Sequence, residues 1–478
     1  MQYFVGIDIG TGSTKAIAYD SLGKVLAKAQ LGYPTMHVQP DFSEQDPHTI
    51  LLAVIHCLKE LEQTVKAKPA LISFSAAMHS LILVNQLGKP LTNSIIWSDN
   101  RAAQIAAQYR KDPKLIQWYK ESGVPMHAML PLCKIKWFRE QQKQVFESAA
   151  KFIGIKEYVL FHLTGAWVVD PAVAAATGLL DIHTLDWKDA SLNMAGISRQ
   201  QLPEIQAANY LLKPIAGNPF SLNQETFIAV GSSDGAMANL GSGALDANTL
   251  AITIGTSAAV RIIQDQMHLD EQMRSFSYPI STGQYLIGGA SNNGAQLLEW
   301  MQTKLFKNQG PTKTFFEQAD TITIGSDGLT ILPYLSGERA PIWKEDAKAV
   351  FFGMGSQHGQ AHLVRAAMEA VVFNLYAIAQ SLPLKHQPKK IMASGGFIQN
   401  QVWLQMLADL FQLPVELNAD ADASARGAIL LGMEAAFPHI QFPAQTNQVL
   451  QPNASVAYEY KNAFLGFEQL SKALVPHM

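Results

Sequence analysis

The 478-residue chain has only two cysteines, Cys57 and Cys133. Two cysteines exclude a disulfide framework and point to a reducing compartment. No CxxC or HExxH spacing occurs, so a protein-caged zinc or iron is not expected. No apolar run reaches the ~18 residues that a membrane span needs. The opening MQYFVGIDIG also lacks the basic region and apolar stretch of a signal peptide, so a cytoplasmic protein is expected. Neither sign of charge dominates: 36 Lys and Arg against 39 Asp and Glu leave a net charge of −3. That balance removes the long-range pull toward nucleic acid or an anionic membrane, and neither is expected as a partner. What the chain does have is apolar residues, 48 % against 16 % charged, a globular balance over a length that suits two or three domains.

Strand and helix patterns alternate from end to end. Short apolar runs at 3–10, 14–20, 71–76 and 227–231 read as strands, and 47–65 carries Ile50, Leu51, Val54, Ile55, Leu58 and Leu61 at helical spacing. Such alternation predicts an α/β fold with largely parallel pairing. One weak repeat stands out. Ile7–Ser13 (IDIGTGS) is echoed by Ile252–Ser257 (ITIGTS), each an apolar strand breaking into small hydroxylated residues. The copies lie half a chain apart, which suggests a duplicated domain with its boundary near 241–248.

Three glycine turns are candidates for ligand contact. Gly10-Thr11-Gly12-Ser13-Thr14-Lys15 offers clustered backbone N–H groups that suit phosphate, although it matches neither GxxxxGK[ST] nor GxGxxG, and a plain hairpin turn is the alternative. A second copy at 255–257 favours two loops facing one polyphosphate. Asp8 lies in an otherwise apolar strand, where burial is costly without a partner; Mg²⁺ held by one or two carboxylates and nucleotide phosphates is such a partner. Its counterpart in the second copy is Thr253. Asp234, in AVGSSDGA, stands where a strand gives way to a helix, and is either an N-cap or a base projected into a cleft. The third turn, Ala393-Ser394-Gly395-Gly396, precedes an amphipathic helix and is a candidate adenine site.

With these residues in order, the sequence resembles the FGGY carbohydrate kinases from Gly6 to about Gly432. The resemblance rests on GIDIGTGSTK (6–15), ITIGTS (252–257), the central block Met129–Gln141, and the block from Ala349–Met354 through His362–Glu369. It implies two ribonuclease-H-like, actin-type domains with an ATP-binding cleft between them. Residues 1–244 would form the sugar-binding half and 245–478 the nucleotide-binding half. By the same resemblance Asp234, in a GxxDxxxxxxGxG setting from Gly231 to Gly243, is the expected catalytic base. Asp8 is expected near the metal and γ-phosphate, with Asp234 as a second carboxylate toward Mg²⁺. Gly10, Thr11, Gly12, Ser13, Thr14 and Lys15 are the expected first phosphate contacts, and Gly255 and Thr256 the second. Gly294, Gly395, Gly396 and Asn400 are expected at the nucleoside. The block at 349–369 is expected to stabilise the second domain.

The acceptor side is carried by Ala76–Ser80 and Trp97–Arg101. Met78 and Trp97 suit an apolar wall, and His79, Asp99, Asn100 and Arg101 suit hydrogen bonds to a polyhydroxylated ligand; core packing and a capped helix start are the alternatives. Pentulose kinases usually carry Gly-Gln-Met-His where this chain has Ala76-Ala77-Met78-His79, and the Arg-Glu pair of glycerol kinases is missing. AAMHS, WSDNR and Val124-Pro125-Met126-His127 are similar to the gluconate-phosphorylating branch. The resemblance therefore implies transfer of phosphate from ATP to D-gluconate, with another sugar acid, a polyol or a ketose such as xylulose as the alternative. Arg101, Lys134, His79 and His127 are the expected cations for the carboxylate. The apolar segment Tyr458–Leu474 is a candidate to pack on its own domain or on a second copy in a homodimer.

Overall fold

The structure, a computed structural model, describes residues 2–220, 222–281, 283–417, 422–443 and 448–478. The first apolar run forms β1 (Phe4–Ile9), which turns through residues 10–12 into the antiparallel β2 (Ser13–Tyr19) and then β3 (Val25–Gly32). Helix α1 (Pro47–Val65) follows. Asp46 accepts hydrogen bonds from the backbone N–H groups of His48 and Thr49, and Pro47 fits the first turn because its missing N–H would have no partner there. Ile50, Leu51, Val54, Leu58 and Leu61 form one buried face of α1, which returns the chain to β4 (Leu71–Ala76), parallel to β1. After a long helical insertion, β5 (Phe227–Ser233) pairs in parallel with β4 and runs straight into α2 (Asp234–Ser242). The sheet order is β5-β4-β1-β2-β3, with a short edge strand, Leu211–Leu212, beyond β5.

The second half repeats this plan. β6 (Thr249–Ile254) turns into the antiparallel β7 (Ala258–Gln264), and β8 (Phe276–Ser281) and β9 (Gln284–Ser291) complete the meander. α3 (Gln360–Ser381) leads to β10 (Lys390–Ser394), parallel to β6, and α4 (Gln401–Phe411) to β11 (Val415–Leu417). The order β9-β7-β6-β10-β11 matches β3-β2-β1-β4-β5 strand for strand, as the IDIGTGS and ITIGTS echo predicts.

α3 is long and apolar enough to cross a membrane, but 72 % of its apolar stretch is buried inside this half, where it is the core helix. Glu369 on α3 ties down a loop by accepting from the Gly325 N–H and the Ser326 hydroxyl, in keeping with the structural role expected of its block. α6, whose range is Ala457–Leu474, presents Phe464 and Phe467 to Phe373 and Tyr376 of α3, so this segment packs on its own half.

One helix crosses over. α5 (Ala423–Ala436) follows β11 in sequence yet lies on α2, β1 and β4 of the first half. Its backbone touches that of α2: a Cβ on Gly427 would stand 1.9 Å from the Met237 carbonyl oxygen, and one on Gly241 1.8 Å from that of Ala423. At Gly241 and Gly427 the two helices meet backbone to backbone, which fixes α2, and the residue at its head, against α5.

Candidate active site

The turn after β1 is built to present polar groups. Gly10 N–H bonds the Ser13 carbonyl at 3.0 Å, and the Tyr33 hydroxyl donates to the Gly10 carbonyl at 2.7 Å. The indole Nε1 of Trp97 donates to the Thr11 hydroxyl at 3.0 Å, fixing that side chain at the mouth of the cleft. Asp8 accepts from the Ser75 hydroxyl on β4 at 2.7 Å. Burial is the largest influence on Asp8 and raises its pKa to about 6. The Ser75 bond and Lys15 oppose the rise, while Asp234 and Asp422 add to it. A carboxylate whose charged form is disfavoured by burial and by two neighbouring carboxylates is one that a cation stabilises.

Asp234 is placed by an irregularity in its own strand. Pairing between β5 and β4 slips between Ala229 and Ser232, where Gly231 takes φ +70° and a Cβ would meet the Phe74 carbonyl oxygen at 1.9 Å. A bulge of this kind re-aims the end of a strand. A buried network supports it: Lys156 Nζ donates to Asp170 Oδ1 at 2.5 Å and to the Gly231 carbonyl at 3.1 Å, and the Ser232 hydroxyl donates to Asp170 Oδ2 at 2.6 Å. The helix cap is Ser233, whose hydroxyl accepts from Ala236 N–H, so capping does not account for Asp234. Asp234 is the first helical residue; its Oδ1 accepts from the neighbouring Gly235 N–H at 2.7 Å. Burial raises its pKa, with Arg261 the strongest opposing influence.

Asp234 faces a cavity of about 170 Å³ shared by both halves. Thr11, Met78, His79, Trp97 and Met129 come from the first half, and Thr253, Ser257, Arg261, Tyr278, Arg339 and Trp343 from the second. Met78, His79 and Trp97 are thus where the sequence reading puts them. His79 sits at φ +66°, and its Nδ1 bonds the Ala176 carbonyl at 2.8 Å; burial lowers its pKa to about 3, so it is a neutral hydrogen-bonding group and not a cation.

Other expected acceptor contacts are used elsewhere. Asp99 is fully buried, accepting from the Ser43 N–H and from Arg101, whose guanidinium also bonds Glu44 and lies 3.9 Å above the Phe42 ring. This ion-pair cluster pins the 97–101 loop from behind. Asn100, held by its N–H to the Asp41 carbonyl, does not line the cavity either. Lys134 donates to the carbonyls of His79, Ile95 and Ile96, clamping both acceptor loops and leaving none of its three donors for a ligand. Burial lowers His127 to about 4, and its Nδ1 is occupied by the Met129 N–H. Among the expected phosphate contacts, Thr14 is buried beneath the turn against the Tyr33 hydroxyl, and Lys15 pairs with Asp422 at 3.4 Å. Arg261, Arg339, Tyr278 and Trp343 escaped the sequence reading. An arginine inside the apolar strand AAVRIIQ is the same kind of signal as Asp8 in β1, and it was legible.

A larger cavity, about 890 Å³, opens on the other side of the second turn. Gly255, Thr256, Gly396 and Asn400 line it with Glu299, Gln302, Phe316 and Asp320. Gly294 N–H bonds the Thr256 carbonyl at 3.0 Å, and a Cβ there would stand 2.5 Å from the Gly255 oxygen; Gly395 holds φ +103° against Ile254. The Asn400 side chain caps α4 by accepting from Trp403 N–H at 2.8 Å. The 255–257 turn thus separates two cavities, Thr256 facing the larger and Ser257 the smaller.

Comparison with known proteins agrees with this plan. The N-terminal domain of the FGGY family of carbohydrate kinases matches residues 3–241, and its C-terminal domain matches 250–436. A gluconokinase of Bacillus subtilis is 35 % identical over 99 % of this chain and 96 % of its own. The crystal structure of a gluconate kinase from Lactobacillus acidophilus superposes with a TM-score of 0.94 at 35 % identity, covering 99 % of this chain and 98 % of that one. A ligand-bound xylulose kinase from the same organism also reaches 0.94, at 34 % identity and 99 % of each chain. Two actin-type domains, paired glycine turns and matches to both family domains lead to one conclusion: the chain belongs to the FGGY family of carbohydrate kinases, enzymes that take phosphate from ATP.

Proposed function

We propose that this kinase transfers the γ-phosphoryl group of ATP to the terminal hydroxyl of D-gluconate, giving 6-phosphogluconate, with Asp234 as the base. The observation that carries the reading is the position of Asp234: half-buried at the head of α2, with no side-chain donor bonded to its carboxylate among the described residues, and facing a cavity whose wall includes residues of both phosphate turns.

Phosphoryl transfer passes through a loose transition state, so positioning and charge stabilisation do most of the work. Asp234 orients the acceptor hydroxyl and takes its proton as the O–P bond forms. Neutral His79 and the Thr11 hydroxyl are hydrogen-bond partners for the polyol chain, and Met78, Met129 and Trp343 give it an apolar wall. Backbone N–H groups at 11–12 and 256–257 face the phosphates, those of Gly10 and Gly255 being bonded within their own turns, and the larger cavity takes the nucleoside. Asp8 and Asp234 suit Mg²⁺, which prefers one or two carboxylates plus phosphate and water oxygens; no group of three or more His, Cys, Asp or Glu that could cage a metal occurs among the described residues. When bound, that ion supplies neutralisation of the β- and γ-phosphate oxygens.

A ketose acceptor is the second reading, favoured by the equal structural likeness to the Lactobacillus xylulose kinase. A coupled ADP-release assay with D-gluconate, D-xylulose, glycerol and D-glucitol separates the two. Turnover that depends on gluconate is expected; dependence on xylulose alone would transfer the assignment to the ketose, and turnover indifferent to all four would remove the kinase step.

A further inference from the structure

The acceptor cavity carries more positive charge than its own residues use. Its charged lining is Asp234, Arg261 and Arg339, since His79 is neutral. Arg339 is committed in part: Nε donates to Asn292 Oδ1 at 2.8 Å, Nη2 to the Ser291 carbonyl at 3.2 Å, and the guanidinium lies 4.6 Å above the Trp97 ring. Arg261, on β7, is different. It packs over the head of α2, where a Cβ on Gly235 would stand 2.8 Å from its Nε, and it feels Asp234 and the Tyr278 phenol as its main attractions. Among the described residues no atom accepts a hydrogen bond from its guanidinium, and no carboxylate lies within ion-pairing distance. Arg339 is balanced in part by the buried Glu338 beside it as well as by Asp234, so among the described residues the cavity-lining guanidinium without an ion pair is that of Arg261. A neutral sugar leaves that charge in place; a sugar acid cancels it.

We infer that Arg261, with the free edge of Arg339, is the carboxylate clamp that makes this enzyme select a sugar acid over a neutral polyol. The inference rests on the gluconate reading and assigns its specificity to the second half of the molecule, with none of Arg101, Lys134, His79 or His127 supplying the cation. Arginine suits the task because its planar fork can give a carboxylate two parallel hydrogen bonds.

The test compares D-gluconate with D-glucitol, its neutral counterpart of the same length, as acceptors for the full chain and for Arg261→Met and Arg261→Lys. The clamp predicts that the ratio of kcat/KM for gluconate over glucitol falls about 10- to 100-fold in Arg261→Met, the usual weight of a charge-assisted hydrogen bond. Arg261→Lys should fall between, keeping the charge and losing the fork. Melting temperature and ATP affinity report whether each variant is folded, and if Arg261→Met does not fold, the lysine variant carries the comparison. An unchanged ratio overturns the clamp while leaving the gluconate reading intact. The same holds for an equal loss on both acceptors with a shifted acid limb of the pH profile, which would assign Arg261 to Asp234. A wild-type enzyme that phosphorylates glucitol or xylulose but not gluconate would instead overturn the gluconate reading itself.

Discussion

In the first half Asp8 accepts from Ser75 across β1 and β4 at 2.7 Å; in the second, Thr253 shares a 2.9 Å hydrogen bond with Ser394 across β6 and β10, at the same place in the same register. Both strands turn back through small residues, Gly10-Thr11-Gly12 and Gly255-Thr256-Ser257. One copy thus sets a half-buried carboxylate beside its phosphate turn and the other a neutral hydroxyl. The scaffold is duplicated and the chemistry is not: charge that faces the metal and the acceptor proton is confined to the first half, while the arginines Arg261 and Arg339 are confined to the second.

The sharpest way to break this asymmetry is Asp234→Asn. With its base removed the enzyme should lose about 10²–10⁴ in kcat, while the melting temperature stays nearly constant because Ser233 still caps α2. A smaller effect is expected from the paired strand positions. Asp8→Asn should reduce activity about 10- to 100-fold, the usual weight of a group acting on a metal through its water shell, with a matching rise in the Mg²⁺ concentration needed for half-maximal rate. Thr253→Val, at the equivalent place, removes one neutral hydrogen bond worth about 1 kcal/mol and should be read mainly as a lower melting temperature. Equal kinetic losses at the two positions would show that the halves are not specialised in this way.

Buried carboxylates away from the cleft extend the comparison. Glu338 in the second half is surrounded by donors on both oxygens, from Ser291, Asn292, Asn293 and Asn374. Glu157 in the first accepts from Gly154 N–H on Oε2, and its buried Oε1 has no hydrogen-bond partner among the described residues. Burial accordingly raises Glu157 to about 7 from an ordinary 4.5. Between those values the folded chain binds a proton that the unfolded chain has released, so stability falls as pH rises through that window. Glu157→Gln should flatten that slope, leaving the variant more stable than the wild type at pH 8 by on the order of 3 kcal/mol. Thermal melts of both proteins from pH 5 to 8 check it.

Much of this was legible in the sequence because it is local. Helix α1 follows from its apolar spacing and the Asp46-Pro47 start, and the duplicated strand–turn–strand from two short motifs. Asp8 announced itself as a charge in an apolar strand. Within WSDNR, Trp97 lines the cavity but Asp99 and Arg101 do not: their partners Ser43, Glu44 and Phe42 lie more than fifty residues away, and only the fold brings them there. The Lys156–Asp170–Ser232 network that supports the Gly231 bulge was invisible for the same reason, Ser232 in β5 standing 62 residues from Asp170 in the insertion.

The indole of Trp97 touches both halves at once, with its Nε1 bonded to Thr11 and its face covered by the Arg339 guanidinium. A cation over an indole changes the ring's electrostatic surroundings, so any separation of the halves strips that charge away and alters the ring's fluorescence. The enzyme therefore carries its own optical gauge of cleft opening, with no label required.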